Sequence, residues 1–160
     1  MANNIPQKVG RILFGCYVLL MLWLLFGQRI GFVFYDNYFD RLRESTNLIP
    51  FYTVSNYIRV LAGSEKISLV RHAIINLAGN IVMFIPLGFF VPWFFDKFRS
   101  FVRTFAFSAG VIFVVEIVQL FTLLGSADID DLILNLIGVS LGYALFRLFS
   151  IKLILTGKKD

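Results

Sequence analysis

The chain has 160 residues, a formal net charge of +5 and a mean hydropathy of +0.79, and 58% of its residues are hydrophobic. This composition excludes an ordinary soluble globule and a disordered chain, and the length suits a single domain over residues 1–160. The positive charge does not indicate a nucleic-acid partner, because the basic residues flank apolar segments instead of forming a basic polar face. We therefore predict an integral membrane protein in contact with the lipid bilayer.

Four apolar segments are long enough to cross a hydrocarbon core, which takes about 20 residues per helix. They cover residues 12–27, 72–95, 104–125 and 132–150. Their number and length predict an all-α bundle of four transmembrane helices. No small-residue cleavage site follows the first segment, so we expect it to remain as an anchor.

The basic residues predict the orientation of these spans. Lys8 and Arg11 lie before the first span. The connection between the second and third spans contains Lys97, Arg99 and Arg103, and the segment after the fourth span contains Lys152, Lys158 and Lys159. Short loops rich in Lys and Arg stay on the cytoplasmic side. We therefore predict a multi-pass plasma-membrane protein with both termini in the cytoplasm.

The first external loop contains a short amphipathic segment. Its apolar residues Phe51, Val54, Ile58 and Leu61 recur at helical spacing. Because proline is favoured in the first turn, we expect this helix to begin at Pro50. The helix would either lie in the membrane interface or cap the bundle without touching lipid.

The second and third spans carry polar side chains inside their apolar runs. Asn76 and Asn80 lie four residues apart in the second span, and Glu116 and Gln119 lie three apart in the third. Residues at these spacings share one face of a helix. An ionisable group at the bilayer centre costs about 2.5–3.5 kcal/mol on insertion scales, so Glu116 needs water or polar partners.

The fourth span opens with an acidic segment and continues with small residues. Asp128 and Asp130 lie where a side chain can cap the helix. One face of this helix carries four residues at sequence spacings of four, three and four: Asp131, Asn135, Gly138 and Gly142. The two glycines allow a neighbouring backbone to approach closely, either within the bundle or in a second molecule.

These polar residues converge on the outer halves of the spans. The pattern predicts a small polar pocket that opens towards the outer leaflet and is walled by apolar helices. We expect eight residues to bind its ligand: Arg71, Asn76, Asn80, Glu116, Gln119, Asp128, Asp131 and Asn135. Cys16 is the only cysteine and gives no Cys-based metal site, so we expect no metal.

Several motifs resemble those of VanZ-like membrane proteins. They are Asn47–Phe51, Asn76–Phe89, Glu116-x-x-Gln119, Asp128–Asn135 and Gly138-x-x-x-Gly142-Tyr143. The resemblance covers residues 47–143 and implies a small plasma-membrane protein of the cell envelope of a Gram-positive bacterium. The family's namesake is associated with resistance to teicoplanin-type lipoglycopeptides, so the resemblance implies a role in antibiotic resistance, without an agreed reaction.

The chain departs from this family at one position. Many relatives have an arginine about three residues before the first Asp of the acidic motif, where this chain has Gly125. If that arginine neutralises the carboxylates, Arg71 must replace it here, or the pocket is more acidic.

Three functions are compatible with the pocket. The first is binding of a lipoglycopeptide, another amphiphile or a lipid-linked cell-wall precursor, without a cofactor. The alternative is a metal-dependent hydrolase or transferase acting on a lipid-linked substrate, in which Glu116 and Asp131 are the catalytic candidates and Mg²⁺ the cofactor. In the third, the polar residues form an interhelical network that only holds the bundle together. The sequence leaves the ligand and the oligomeric state open.

Overall fold

The computed structural model describes residues 4–27 and 37–156, with side chains described for residues 8–27 and 37–151. Within these residues the chain forms six α-helices: α1 (Asn4–Leu25), α2 (Tyr38–Glu44), α3 (Tyr52–Gly63), α4 (Ile67–Phe94), α5 (Phe101–Thr122) and α6 (Ile129–Thr156). Two short strands, β1 (Thr46–Asn47) and β2 (Ala127–Asp128), and a 3-10 turn (Asp96–Phe98) complete the fold. Lys158 and Lys159, used in the predicted topology, lie outside the described residues.

The prediction of an all-α membrane bundle is confirmed. Four of the helices, α1, α4, α5 and α6, are long and apolar enough to cross a membrane. Each begins three to eight residues before its predicted span. The difference arises because hydropathy marks only the part of a helix that lies in hydrocarbon, whereas helical hydrogen bonding continues into the polar region. The protein is therefore a multi-pass membrane protein.

Glycines bring α4 and α6 into close contact. An ideal Cβ at Gly138 would lie 2.1 Å from the carbonyl oxygen of Ile81, and one at Gly142 would lie 1.9 Å from that of Ile85. From the other side, a Cβ at Gly88 would lie 2.0 Å from the carbonyl oxygen of Val139. Only glycine permits this approach, so the Gly138-x-x-x-Gly142 motif packs within the bundle.

The loops before α3 and α6 are joined at one end of the bundle. Strands β1 and β2 pair in parallel, and the backbone N–H of Ala127 donates to the carbonyl of Ser45 over 2.8 Å. This end also carries the C-terminal ends of α1 and α5 and the N-terminal end of α4. It is called the α3 end below.

Two carboxylates of the acidic segment cap two different helices. Asp128 caps α6, because its Oδ1 accepts a 2.9 Å hydrogen bond from the backbone N–H of Asp130. Asp130 is fully buried and caps α3 instead, accepting from the backbone N–H groups of Phe51 and Val54 at 2.5 and 3.0 Å. The capping predicted for this segment is thus confirmed, with Asp130 serving a different helix.

The predicted amphipathic helix is present as α3, two residues later than expected. Pro50 lies outside it, and Phe51 precedes its first residue in a left-handed conformation, with φ of 63°. A side chain larger than glycine is strained there. The hydrogen bond from the Phe51 N–H to Asp130 holds this conformation.

Candidate functional site

A cavity of about 560 Å³ opens at the α3 end, between the helices of the bundle. Its wall includes residues of α1, α3, α4, α5 and α6. The structure brings seven of the eight predicted site residues to this wall: Asn76, Asn80, Glu116, Gln119, Asp128, Asp131 and Asn135. The remaining wall is largely apolar, with leucines and methionines from α1 and α4.

Arg71 is the predicted residue that the structure does not bring to the cavity. It lies in the second turn of α4, is exposed to solvent and is absent from the cavity wall. None of the described residues that form the wall is a lysine, an arginine or a histidine. A counter-charge from Arg71 to the carboxylates of the wall therefore stays a prediction.

Asp131 lies where α4, α6 and α3 meet. Its Oδ1 accepts a 2.5 Å hydrogen bond from the side-chain amide of Asn80, which joins α6 to α4. Tyr57 of α3 lines the same cavity. Burial, followed by the nearby carboxylates of Asp131 and Asp128, raises the pKa of the Tyr57 phenol. The Tyr57 phenol therefore keeps its hydroxyl proton to a higher pH than an ordinary tyrosine.

Asp128 is held by side chains of the first loop. The hydroxyl of Thr53 donates to its Oδ2 over 2.5 Å, and the amide of Asn47 donates to both carboxylate oxygens over 3.3 Å. Together with the cap on α6, these contacts occupy Asp128 structurally. Asp128 therefore stiffens the cavity rim, and the deeper polar groups are better placed to meet a ligand.

Among the described residues, two hydrogen bonds attach α1 to the rest of the bundle beside the cavity. The hydroxyl of Tyr17 donates to the carbonyl of Met83 in α4 over 3.0 Å. The side-chain amide of Gln119 in α5 donates to the carbonyl of Leu25 over 3.1 Å. Because Leu25 is the last residue of α1, Gln119 satisfies a carbonyl that has no partner inside its own helix.

The four amide side chains of the wall have different surroundings. Asn80 and Gln119 bond to neighbouring helices, whereas Asn76 donates locally to the carbonyl of His72 over 2.8 Å. Asn135 is 3% exposed, and its Oδ1 has no hydrogen-bond partner. A buried oxygen without a partner costs roughly 1–3 kcal/mol, so the Oδ1 of Asn135 would gain from a ligand donor.

The wall also contains residues that the sequence did not single out. Among them are Tyr17, Met21 and Leu25 of α1 and Thr53 and Tyr57 of α3. Tyr17 had one available signal, since its hydroxyl is an isolated polar group in an apolar run and must find an acceptor. The leucines and the methionine of α1 gave no signal in the sequence, because such residues are common at any position of a lipid-embedded helix.

The wall can hold a polar group by hydrogen bonds and an apolar chain by contact. Carboxylates, amides and hydroxyls provide the hydrogen bonds, and the α1 and α4 side chains provide the apolar contact. Among the residues that the structure describes, no group of three or more His, Cys, Asp and Glu side chains is placed to hold a metal ion.

Comparison with known proteins relates this arrangement to a family. Residues 14–150 match the VanZ/LLP1 family. The chain belongs to this family. It is also 28% identical over 141 residues to Protein VanZ of Enterococcus faecium, a match that covers 88% of this chain and 74% of that protein. No solved structure matches the chain. The matched region contains α4, α5 and the first 22 residues of α6, and it therefore includes every predicted site residue.

Proposed function

We propose that this VanZ/LLP1-family protein binds an amphiphile in its cavity and thereby supports resistance to lipoglycopeptides of the teicoplanin type. The protein would lie in the plasma membrane of a Gram-positive bacterium, with both termini in the cytoplasm. In that orientation the α3 end faces outwards and the cavity opens in the outer leaflet. The basic residues at the opposite end, Lys97, Arg99 and Arg103, support this orientation.

The observation that carries the proposal is the composition of the cavity wall. Polar groups from three helices meet there in a bundle that is otherwise apolar, and an apolar surface adjoins them. Polar side chains within membrane spans are costly and mark sites where something polar is bound or moved. A volume of about 560 Å³ also suits a ligand of drug-like size or a lipid headgroup.

Each group of wall residues has a role in this proposal. Glu116, Gln119, Asp131 and Asn135 contact the ligand, and Asn76 and Asn80 orient it or the carboxylates. Asp128 holds the rim. A bound lipoglycopeptide, or a bound lipid-linked wall precursor, would lower the access of the antibiotic to its target at the membrane surface.

The alternative function is that of a metal-dependent hydrolase or transferase acting on a lipid-linked substrate. Glu116 and Asp131 remain its catalytic candidates, but the described residues offer no cluster that favours a metal ion beside them.

The proposal is tested by drug susceptibility in a sensitive Gram-positive host. The host expresses the wild type, Glu116→Gln or Asp131→Asn, with membrane levels compared by immunoblot. Glu65→Gln is the matched control, because Glu65 is exposed between α3 and α4 and lies outside the cavity wall. Teicoplanin is compared with vancomycin, which lacks the lipid tail.

We expect the wild type and Glu65→Gln to raise the teicoplanin concentration needed to inhibit growth, with little effect on vancomycin. Glu116→Gln and Asp131→Asn should lose this gain at equal membrane level. A wild type without any gain contradicts the resistance role. Full gain in both cavity variants contradicts the assignment of the site.

A further inference from the structure

The cavity is open to the side, towards lipid, as well as at the α3 end. Its wall includes Leu20 of α1 and Ile75 and Val82 of α4, which are 53%, 61% and 61% exposed on the bundle surface. Gly79 lies between Ile75 and Val82 on the same face of α4 and is exposed. A Cβ added at Gly79 would have no other atom within 4 Å. The opening therefore lies between α1 and α4.

The lateral opening is at the depth of the hydrocarbon. Gly79 is 12 residues into α4, or about 18 Å along the helix axis. The large exposed side chains at the opening, those of Leu20, Ile75 and Val82, are apolar, so a molecule that enters by this route brings a hydrocarbon chain. Water-soluble ligands would have to enter at the α3 end instead.

The polar part of the wall is rich in hydrogen-bond acceptors. It has the carboxylates of Glu116, Asp128 and Asp131 and, among the described lining residues, no basic side chain. The buried Oδ1 of Asn135 adds an acceptor without a hydrogen-bond partner. A phosphate or diphosphate group brings negative charge and acceptor oxygens. In this wall it would face further negative charges and further acceptor oxygens, which would repel it. An ammonium group brings a positive charge and up to three donors.

We propose that the ligand of this cavity is a cationic amphiphile, with its ammonium group among Glu116, Asp131 and Asn135 and its hydrocarbon chain in the opening between α1 and α4. The inference rests on the proposed binding function and names the chemical class of the ligand. It excludes a site in which the diphosphate of a lipid-linked precursor is itself held by these residues.

The experiment measures thermal unfolding of the purified protein in lipid nanodiscs with two probes of equal chain length. Dodecylamine supplies an ammonium group at neutral pH, and dodecyl phosphate supplies an anion. Both partition into the bilayer, so variants are needed to separate the cavity from general lipid effects. Gly79→Trp closes the opening, and Gly110→Trp is its matched control on the exposed face of α5, where a Cβ also meets nothing within 4 Å.

Asn135→Leu separates a ligand site from a structural role. It removes the acceptor without a partner, so the protein without ligand should be as stable as the wild type or more stable. We expect its apparent affinity for dodecylamine to fall about tenfold or more, as for a lost hydrogen bond to a charged group.

The inference predicts that dodecylamine raises the melting temperature of the wild type and of Gly110→Trp, and that dodecyl phosphate does not. The rise should be lost in Gly79→Trp and strongly reduced in Asn135→Leu. The inference is overturned if dodecyl phosphate stabilises as well as the amine, if the amine has no effect, or if its effect survives in both variants. Teicoplanin resistance without an amine effect would overturn only the ligand class, and an amine effect without resistance would overturn only the resistance role.

Discussion

Replacing Gly142 with alanine should force α4 and α6 apart and destabilise the bundle. The new Cβ would lie 1.9 Å from the carbonyl oxygen of Ile85 and 3.0 Å from the backbone nitrogen of Phe89. These atoms belong to the backbone, so no side-chain rotation can relieve the overlap. The helices would have to separate by more than an ångström along a contact that also includes Gly138 and Gly88.

The expected loss follows from two opposing contributions. Overpacking a close contact costs about 1–3 kcal/mol, whereas alanine is favoured over glycine in a helix by about 1 kcal/mol. The net loss in the free energy of unfolding is therefore up to about 2 kcal/mol, or up to roughly 8 °C in melting temperature. Thermal unfolding of the purified protein in detergent micelles measures it.

Gly110→Ala is the control for this prediction. Gly110 lies on the exposed face of α5, and a Cβ there has no atom within 4 Å. This variant should be as stable as the wild type or slightly more stable, because only the helix propensity changes. Equal melting temperatures for Gly142→Ala and Gly110→Ala would refute the close packing of α4 against α6.

Two further predictions concern the α3 end. Asp130→Asn replaces one of the two carboxylate oxygens that accept hydrogen bonds from the α3 backbone, so it should lower the free energy of unfolding by roughly 2–3 kcal/mol. Glu65→Gln should not lower it. Thermal unfolding of both variants measures the difference. Tyr57 should ionise above the ordinary tyrosine pKa, so its contribution to stability is complete below about pH 10 and is lost as the pH rises through the raised value. An ultraviolet titration of the wild type and of Tyr57→Phe measures this. The prediction is contradicted if the variant has as many tyrosines that ionise above the ordinary pKa as the wild type has.

The sequence predicted the spans and most of the polar residues of the cavity wall for a physical reason. Polar groups such as Glu116 and Asn80 are conspicuous in apolar helices, and helical spacing places them on one face. Because polar groups avoid lipid, those faces had to meet inside the bundle. The spacing of Asp131, Asn135, Gly138 and Gly142 likewise predicted that one stripe of α6 faces its neighbours.

Other features were beyond the sequence because they depend on which helices meet. Asp130 caps α3, and only the tertiary arrangement reveals a cap that lies 79 residues away along the chain. Leu20 and Leu24 line the cavity, but their hydropathy does not distinguish a wall from a lipid-facing surface. Nor did the sequence show whether the glycines of α6 pack internally, since an intermolecular contact uses the same motif.

The most direct test of the account closes the cavity without changing its charges. A sensitive Gram-positive host expresses the wild type, Gly79→Trp or Gly110→Trp at equal membrane level, and the inhibitory concentrations of teicoplanin and vancomycin are measured. The account predicts a teicoplanin-selective gain for the wild type and for Gly110→Trp, and its loss for Gly79→Trp. An undiminished gain in Gly79→Trp would contradict a function that depends on this cavity.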